Sequence, residues 1–264
     1  MSDFRLKVFQ SVAKNLSFTK ASQELFVSQP AITKHIQELE ATYQTRLFDR
    51  QGSKISLTES GRLLLEHCER ILEDYKRLEY EMHLLHNEYI GELKLGASTT
   101  IAQYVLPPLL GSFIGKFPQV NLSLLNGNSR EIEAALQEHR IDLGLVEGVF
   151  RLPNLKYTTF LEDELVAVVH SKSRLQLPEE ITPQDLPAIP LVLRERGSGT
   201  LDVIERSLQK HGVKLSSLHV LMYLGSTESI KLFLENSDCM GIVSIRSICK
   251  ELAAGTFRVV EIKD

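Results

Sequence analysis

The sequence predicts a multi-domain α+β protein. It has an amino-terminal winged helix-turn-helix over residues 1–58, a linker helix over 59–90, and a carboxy-terminal α/β domain of two lobes over 91–264. Three observations predict it. Short segments of helical apolar period precede a compact hairpin signal, a seam of apolar residues then repeats in steps of four and three, and beyond residue 91 β-prone runs alternate with amphipathic segments. The 264 residues suffice for two compact domains, and the 43% hydrophobic and 24% charged content is that of an ordinary globular chain. A net charge of -4 argues against non-specific adhesion of the whole molecule to nucleic acid or membranes. The charge is uneven, however: residues 1–60 carry eight Lys and Arg against six acids, leaving -6 on the remainder.

Phe4, Val8, Phe9 and Val12 recur at helical spacing and predict the first helix. A second covers residues 20–25 with Thr19 as its N-cap; after a turn over 26–28, Ser28 caps a third. Pro30 falls in the first turn of that third helix, where its missing N–H would have had no partner, and Ile32, Ile36 and Leu39 bury one side. The helix-turn-helix core is residues 18–37. In TRLFDRQGSKISLTES, two β-prone runs flank Gln51-Gly52-Ser53-Lys54, a hairpin that reads as a wing. Thr58 then caps a long helix along which Leu64, Cys68, Ile71, Tyr75, Leu78, Met82, Leu85 and Tyr89 form a heptad-like seam. So long and one-sided a helix asks for a partner, either a second copy or its own carboxy-terminal domain, and the two are not exclusive.

Beyond Gly91, strands at 92–97, 120–125 and 141–146 alternate with a helix from Thr99 and another over 130–139. A second set has strands near 165–169, 191–194, 220–224 and 241–244, with helices near 201–210 and 229–235, before a last strand-like run at 257–262.

On the third helix Gln29, Pro30, Thr33, Lys34 and Gln37 share an arc of roughly 140° beside the apolar stripe. Gln can read adenine through two hydrogen bonds, a Thr methyl can meet thymine, and Lys suits guanine or phosphate, so this face suits a major groove. Any amphipathic surface helix also has a polar face, and here the order of elements around it decides. SFTKASQELFVSQPAITKHIQELEATYQTRLFDRQGSKISLTESG resembles the amino-terminal domain of the LysR-type transcriptional regulators, over residues 1 to about 60. The resemblance implies that the helix opening at Ser28, Gln29 and Pro30 enters the major groove with Thr33 and Lys34. It also implies that Arg50, Ser53 and Lys54 on the wing touch the DNA backbone. Related sequences often carry Arg where Lys34 stands, which leaves the base preference open.

In that family the linker helix pairs subunits into homodimers that assemble further as homotetramers. Two paired reading heads imply double-stranded DNA with an imperfect inverted repeat. RNA polymerase is a further partner that such a regulator allows.

Three strand ends run into Ser/Thr-rich helix starts, at 97–100, 197–200 and 225–228. Each alone is an ordinary N-cap. Together, at the carboxyl ends of strands, they point to a pocket for a small anion, because helix N-termini and hydroxyls supply donors and Gly allows close approach. GELKLGASTTIAQYVLPPLL, IDLGLVEG and RERGSGTLDVIERSL resemble the effector-binding domain of the same family, a two-lobed type 2 periplasmic-binding-protein-like fold. Within it, GASTTI, DLGLVEG and GSGT most resemble the subgroup linked to sulfur assimilation, including activators of sulfite reductase genes. The resemblance implies a cleft lined by Ser98, Thr99 and Thr100 from one lobe and Ser198, Gly199 and Thr200 from the other, with Glu147, Gly148 and Thr227 nearby. It further implies lobe I over 91–161 plus 246–264 and lobe II over 162–245. Arg196 stands where related sequences often show Pro, and either adds charge to the cleft or sits in solvent. The expected effector is a small anionic metabolite, sulfur-containing or a carboxylate, and no cofactor is expected.

Other classes fit poorly. Ser198 lies in GSGT, not GxSxG, and neither a Walker loop nor GxGxxG occurs, so an enzyme is not expected. Cys68, Cys239 and Cys249 form no CxxC pair and no His stands at metal spacing, so neither a disulfide framework nor a metal site is expected. The carboxy-terminal fold alone would also suit a solute-binding receptor. MSDFRLKVFQ lacks a secretory core and no apolar run spans a bilayer, so a cytoplasmic protein without a membrane partner is expected. The family's effector domain usually continues for another strand and helix beyond the point matching Asp264, so a shortened effector domain is expected here.

Overall fold

Val8, Phe9 and Val12, the apolar stripe of the opening segment, are fully buried on the inner face of α1 (Phe4–Asn15). The computed structural model describes residues 4–51, 54–85 and 89–263, without the side chains of residues 50, 51 and 54. It divides into two compact units, Met1–Ile90 and Gly91–Asp264. In the first, α2 (Phe18–Glu24) is capped by Ser17 rather than by Thr19. Ser17 is extended at φ -156° and its hydroxyl accepts the Lys20 N–H at 3.2 Å, so the helix opens with Phe18, which is buried against Phe48. A turn with Phe26 at φ +53° leads to α3 (Gln29–Tyr43). Ser28 caps α3 by accepting the Ala31 N–H at 3.4 Å, Pro30 lies in the first turn, and Ile32, Ile36 and Leu39 form the buried face. β1 (Phe48–Gln51) and β2 (Lys54–Leu57) then pair antiparallel with Gln51 opposite Lys54, forming the wing.

Thr58 starts α4 (Glu59–Leu85): its hydroxyl accepts the Gly61 N–H at 2.9 Å and donates to the Arg46 carbonyl at 2.7 Å. Gly61 permits the close passage past the wing, because a Cβ there would lie 2.1 Å from the Leu47 carbonyl oxygen. The predicted seam is divided. Cys68 and Leu72 are buried in the first unit's own core with Leu64 packed beside them, and the Cys68 thiol donates to the Leu6 carbonyl at 3.3 Å. Leu64 and Cys68 therefore serve their own domain, a correction whose cause is that the first turns of α4 lie against α1. Farther along, Ile71, Leu78, Met82 and Leu85 are exposed and Tyr75 is half-buried. Tyr89 stands outside the described helix, which ends at Leu85, so it does not extend the helical seam as expected.

The second unit carries two sheets. β3 (Gly91–Ser98) is the middle strand of a parallel three-stranded sheet, flanked by β4 (Val120–Gly127) and β5 (Leu143–Leu145). The helix expected from Thr99 is interrupted by a π-helical turn over Ile101–Val105, ahead of α5 (Leu106–Lys116). The Leu106 N–H reaches back to the Ile101 carbonyl, and Pro107 and Pro108 offer no N–H to continue ordinary helical pairing. α6 (Ser129–Gln137) opens with a capping box: Asn128 accepts the Glu131 N–H while the Glu131 carboxylate accepts the Asn128 N–H. Ile132 and Ala135 of α6 are fully buried.

The second sheet contains β6 (Leu165–His170), β7 (Glu180–Ile181), β8 (Leu191–Arg194), β9 (Val220–Leu224), β10 (Met240–Ser244) and β11 (Phe257–Ile262), in the order β7-β11-β6-β10-β8-β9. α7 (Gly199–Lys210), α8 (Thr227–Glu235) and the short α9 (Cys249–Ala253) accompany it. Its centre is apolar on both faces: Val168, Val192 and Val243 belong to one buried cluster, Ala167, Leu191 and Ile242 to another. β11 pairs antiparallel with β6, so residues 257–262 belong to the second lobe. The assignment of 246–264 to lobe I is corrected by that ladder.

Candidate functional site

The outward face of α3 holds the first group of candidates. Ser28, Gln29, Pro30, Lys34 and Gln37 are exposed, and Thr33 is half-buried. The Ser28 hydroxyl caps the helix, and that of Thr33 donates to the Gln29 carbonyl at 3.1 Å. Lys34 has no acidic partner among the described residues. On the wing, Arg50 and Lys54 lie at neighbouring positions of the β1–β2 ladder, while Ser53 and the Arg50 and Lys54 side chains fall outside the described residues.

In the second unit, β3, β8 and the start of α8 bring the Ser/Thr-rich segments together between the lobes. Ser98, Thr99, Thr100, Ser198, Thr200 and Thr227 are all at least 94% buried. The lobes are closed on one another: a Cβ on Gly199 would meet the Glu147 carbonyl oxygen at 2.1 Å. The Thr200 hydroxyl donates to Glu147 Oε2 at 2.9 Å, and the Arg130 N–H donates to the Gly197 carbonyl at 3.3 Å. Ser226 caps α8 through the Ser229 N–H at 3.1 Å, whereas Ser198 makes no capping bond. Among the described residues, Ser98 Oγ and Glu147 Oε1 are buried without a hydrogen-bond partner. Burial pushes the Glu147 carboxyl above its ordinary value of 4.5, against the opposing pull of the Thr200 hydrogen bond.

A cavity of about 520 Å³ opens beside this contact. Thr100, Glu147, Gly148 and Thr200 line it, as do Ile101, Val105, Phe160, Leu165 and Val203. Ser98, Thr99, Ser198, Gly199 and Thr227 do not; they stand in the closed seam behind. Three cations, Arg151, Lys156 and Arg246, share the wall with Glu147 and Asp163. Arg246 Nε is 3.4 Å from Asp163, and the Arg151 guanidinium lies over the Tyr157 ring.

Sequence reading missed two parts of this site. The buried cation is Arg194, at 2% exposure, and not Arg196, which is exposed. Arg194 Nε donates to Glu195 at 2.9 Å and its Nη2 to the Thr99 hydroxyl at 3.4 Å, tying lobe to lobe. The second is a clasp. Tyr104, on the π-helical turn, donates to Glu228 of α8, whose carboxylate also holds buried Lys231 at 2.8 Å; Lys231 reaches Glu251 at 2.6 Å and the Ser247 carbonyl at 3.1 Å. Burial and the Glu228 hydrogen bond push the Tyr104 hydroxyl up to about 12. Burial pulls Lys231 down, but the hydrogen bonds to Glu228 and Glu251 outweigh it and leave its pKa above the ordinary lysine value. Among the described residues no His, Cys, Asp and Glu cluster could hold a metal, and no helix is long and apolar enough to cross a membrane.

A winged helix-turn-helix with a free polar reading face, on the same chain as two lobes closed over buried hydroxyls, defines a ligand-governed regulator that binds DNA. Residues 4–62 match the bacterial regulatory helix-turn-helix proteins of the lysR family, and residues 86–264 match the LysR substrate binding domain. The chain belongs to the LysR family of transcriptional regulators. It is 30% identical over 259 residues to the HTH-type transcriptional regulator CysL of Bacillus subtilis (strain 168), covering 98% of this chain and 86% of that protein. The regulatory domain of CcmR from Synechocystis PCC6803, solved in complex with 2-PG, is 29% identical with a TM-score of 0.58, covering 66% of this chain and 81% of that one. Full-length CbnR complexed with its target DNA has the same fold, with a TM-score of 0.62 at 24% identity over 100% of this chain and 89% of that one.

Proposed function

We propose that a small anionic metabolite binds against Thr100, Glu147 and Thr200 and sets the balance between closed and open lobes, and thereby between two DNA-bound arrangements of a homo-oligomer. The observation that carries this is the pair of unpartnered buried oxygens, Ser98 Oγ and Glu147 Oε1, at and behind the wall of the cavity. Buried polar atoms are nearly always paired: the Ser98 hydroxyl can donate to an anion or its water, and Glu147 Oε1, an acceptor when ionised, would take a bound water or a hydroxyl of the effector. Arg151, Lys156 and Arg246 outnumber the two acids of the wall, and the raised Glu147 carboxyl lessens the negative charge an anion would meet. The complex of the CcmR regulatory domain with 2-PG supports the ligand class. Sulfur-containing acids and carboxylates remain the other candidates.

On this reading α3 contacts bases through Gln29, Pro30, Thr33 and Lys34, with Ser28 capping it and Arg50, Ser53 and Lys54 on the adjoining wing. The exposed part of the α4 seam, with half-buried Tyr75, pairs two copies, which reads an imperfect inverted repeat; tetramer assembly and contact with RNA polymerase follow from the family. The protein acts in the cytoplasm and without catalysis. The test is calorimetry of the full chain with 2-PG, sulfate, sulfite and simple dicarboxylates, alongside a gel shift on its upstream region with and without each. One anion is expected to bind and to alter the shift. A folded chain that binds its operator while no anion binds would overturn the anionic assignment.

A further inference from the structure

Phe26 is the most exposed large apolar side chain among the described residues, at 94%, and its backbone lies in the left-handed region at φ +53°. Both features disfavour the free protein: bulky residues seldom adopt positive φ, and the ring leaves apolar surface in water. The turn does not require them, since glycine meets the same backbone at no steric cost. On either side the chain is held in place. Leu25 and Val27 pack against the first unit's core, the Val27 N–H donates to the Ser22 carbonyl at 3.1 Å, and Ser28 caps α3. The ring is thus carried at the amino-terminal end of α3, three residues ahead of exposed Gln29, and it is this end of a reading helix that meets base edges.

We propose that Phe26 is a further DNA-contacting residue whose ring packs on the 5-methyl group of a thymine beside the bases that α3 reads, an apolar contact of established type. This rests on α3 being the major-groove helix. In the complex the ring gains the burial it lacks in the free protein, which offsets the cost of holding it exposed in an unfavourable conformation.

The test uses the full chain, Phe26→Gly and Phe26→Leu on a duplex footprinted from the protein's upstream region. Each thymine is replaced in turn by deoxyuridine, which removes only the methyl group. Phe26→Gly is expected to weaken specific binding roughly ten-fold, within the range of one lost base contact, with Phe26→Leu in between. Its thermal midpoint stays equal or rises, because glycine relieves the positive φ. One deoxyuridine position weakens the unmodified chain and leaves Phe26→Gly unaffected. A lowered midpoint, an unchanged affinity, or a loss coupled to no thymine position would each overturn the proposal. Absence of specific binding by the unmodified chain would instead remove the reading of α3 on which it stands.

Discussion

Lys34 sits on the exposed face of α3 with no acid to hold it among the described residues, so its ammonium group is available to a guanine edge or a phosphate. Lys34→Ala is expected to weaken operator binding by about 1–3 kcal/mol with relaxed sequence preference if the contact is to a base, or to lower the salt slope by about one if it is to phosphate. Gel shifts across a salt series separate these, and unchanged affinity and slope take Lys34 off the interface. Glu147 gives a pH prediction. Its folded pKa is raised, so the proton is bound more tightly in the folded unit; the stabilisation is complete below about 4.5 and is lost as pH rises through the folded value. Melting of the chain with Glu147→Gln should therefore show a flatter profile above pH 4.5, with a midpoint at neutral pH no lower than the parent's. A parallel profile for the two would mean that Glu147 stays charged. That Ser98 to Thr100 and Ser198 to Thr200 come together is legible, because hydroxyls at strand ends have a local physical reason, but that only Thr100 and Thr200 of them reach the cavity wall is not. Arg194 was not: 191–194 reads only as a strand, and the burial of its last side chain depends on Thr99, 95 positions away.

Among elements, α4 shows how a regular pattern can serve two masters. Steps of four and three mark one side of a helix, but they do not say which turns meet the parent domain; Cys68 and Leu72 do, and Ile71, Leu78, Met82 and Leu85 do not. Tyr75→Asp with Leu78→Asp should leave the first unit folded, since neither residue belongs to its core, and should convert the oligomer to monomer in sedimentation. An oligomer that survives the double change would exclude this stretch as the interface. Helix ends were legible where the cap has a local partner, as at Ser28 and Thr58. The start of α2 was misplaced because Ser17 and Thr19 are both of a cap-forming type, and the burial of Phe18 settles it in favour of Ser17. The π-helical turn at 101–105 likewise reflects paired prolines whose effect reaches back into the preceding turn.

Across the carboxy-terminal unit, three contacts between its lobes act together: the Gly199 approach to Glu147, the Arg194 bond to Thr99 and the Tyr104–Glu228 clasp. Gly199→Ala inserts a methyl group where a backbone oxygen already lies, and main chain cannot swing aside as a side chain can. The expected result is a chain that still binds DNA but shows little effector-induced compaction in small-angle scattering, with effector affinity lowered roughly ten-fold or more. Compaction equal to the parent's would show that closure does not use this contact. Every strand but the short β7 was legible along the chain, but the lobe to which the last one belongs was not, because pairing of β11 with β6 joins segments almost ninety residues apart. In α4, Cys68 and Leu72 clamp the near end into the first unit's core, while Leu78, Met82 and Leu85 farther along stay exposed, free to meet a twin on the proposed pairing. The rod is thus keel and handle at once. Where the pair forms as proposed, one extra residue spliced in between would twist handle against keel by about 100°. The two heads would then fall out of phase with the grooves although every local contact survived.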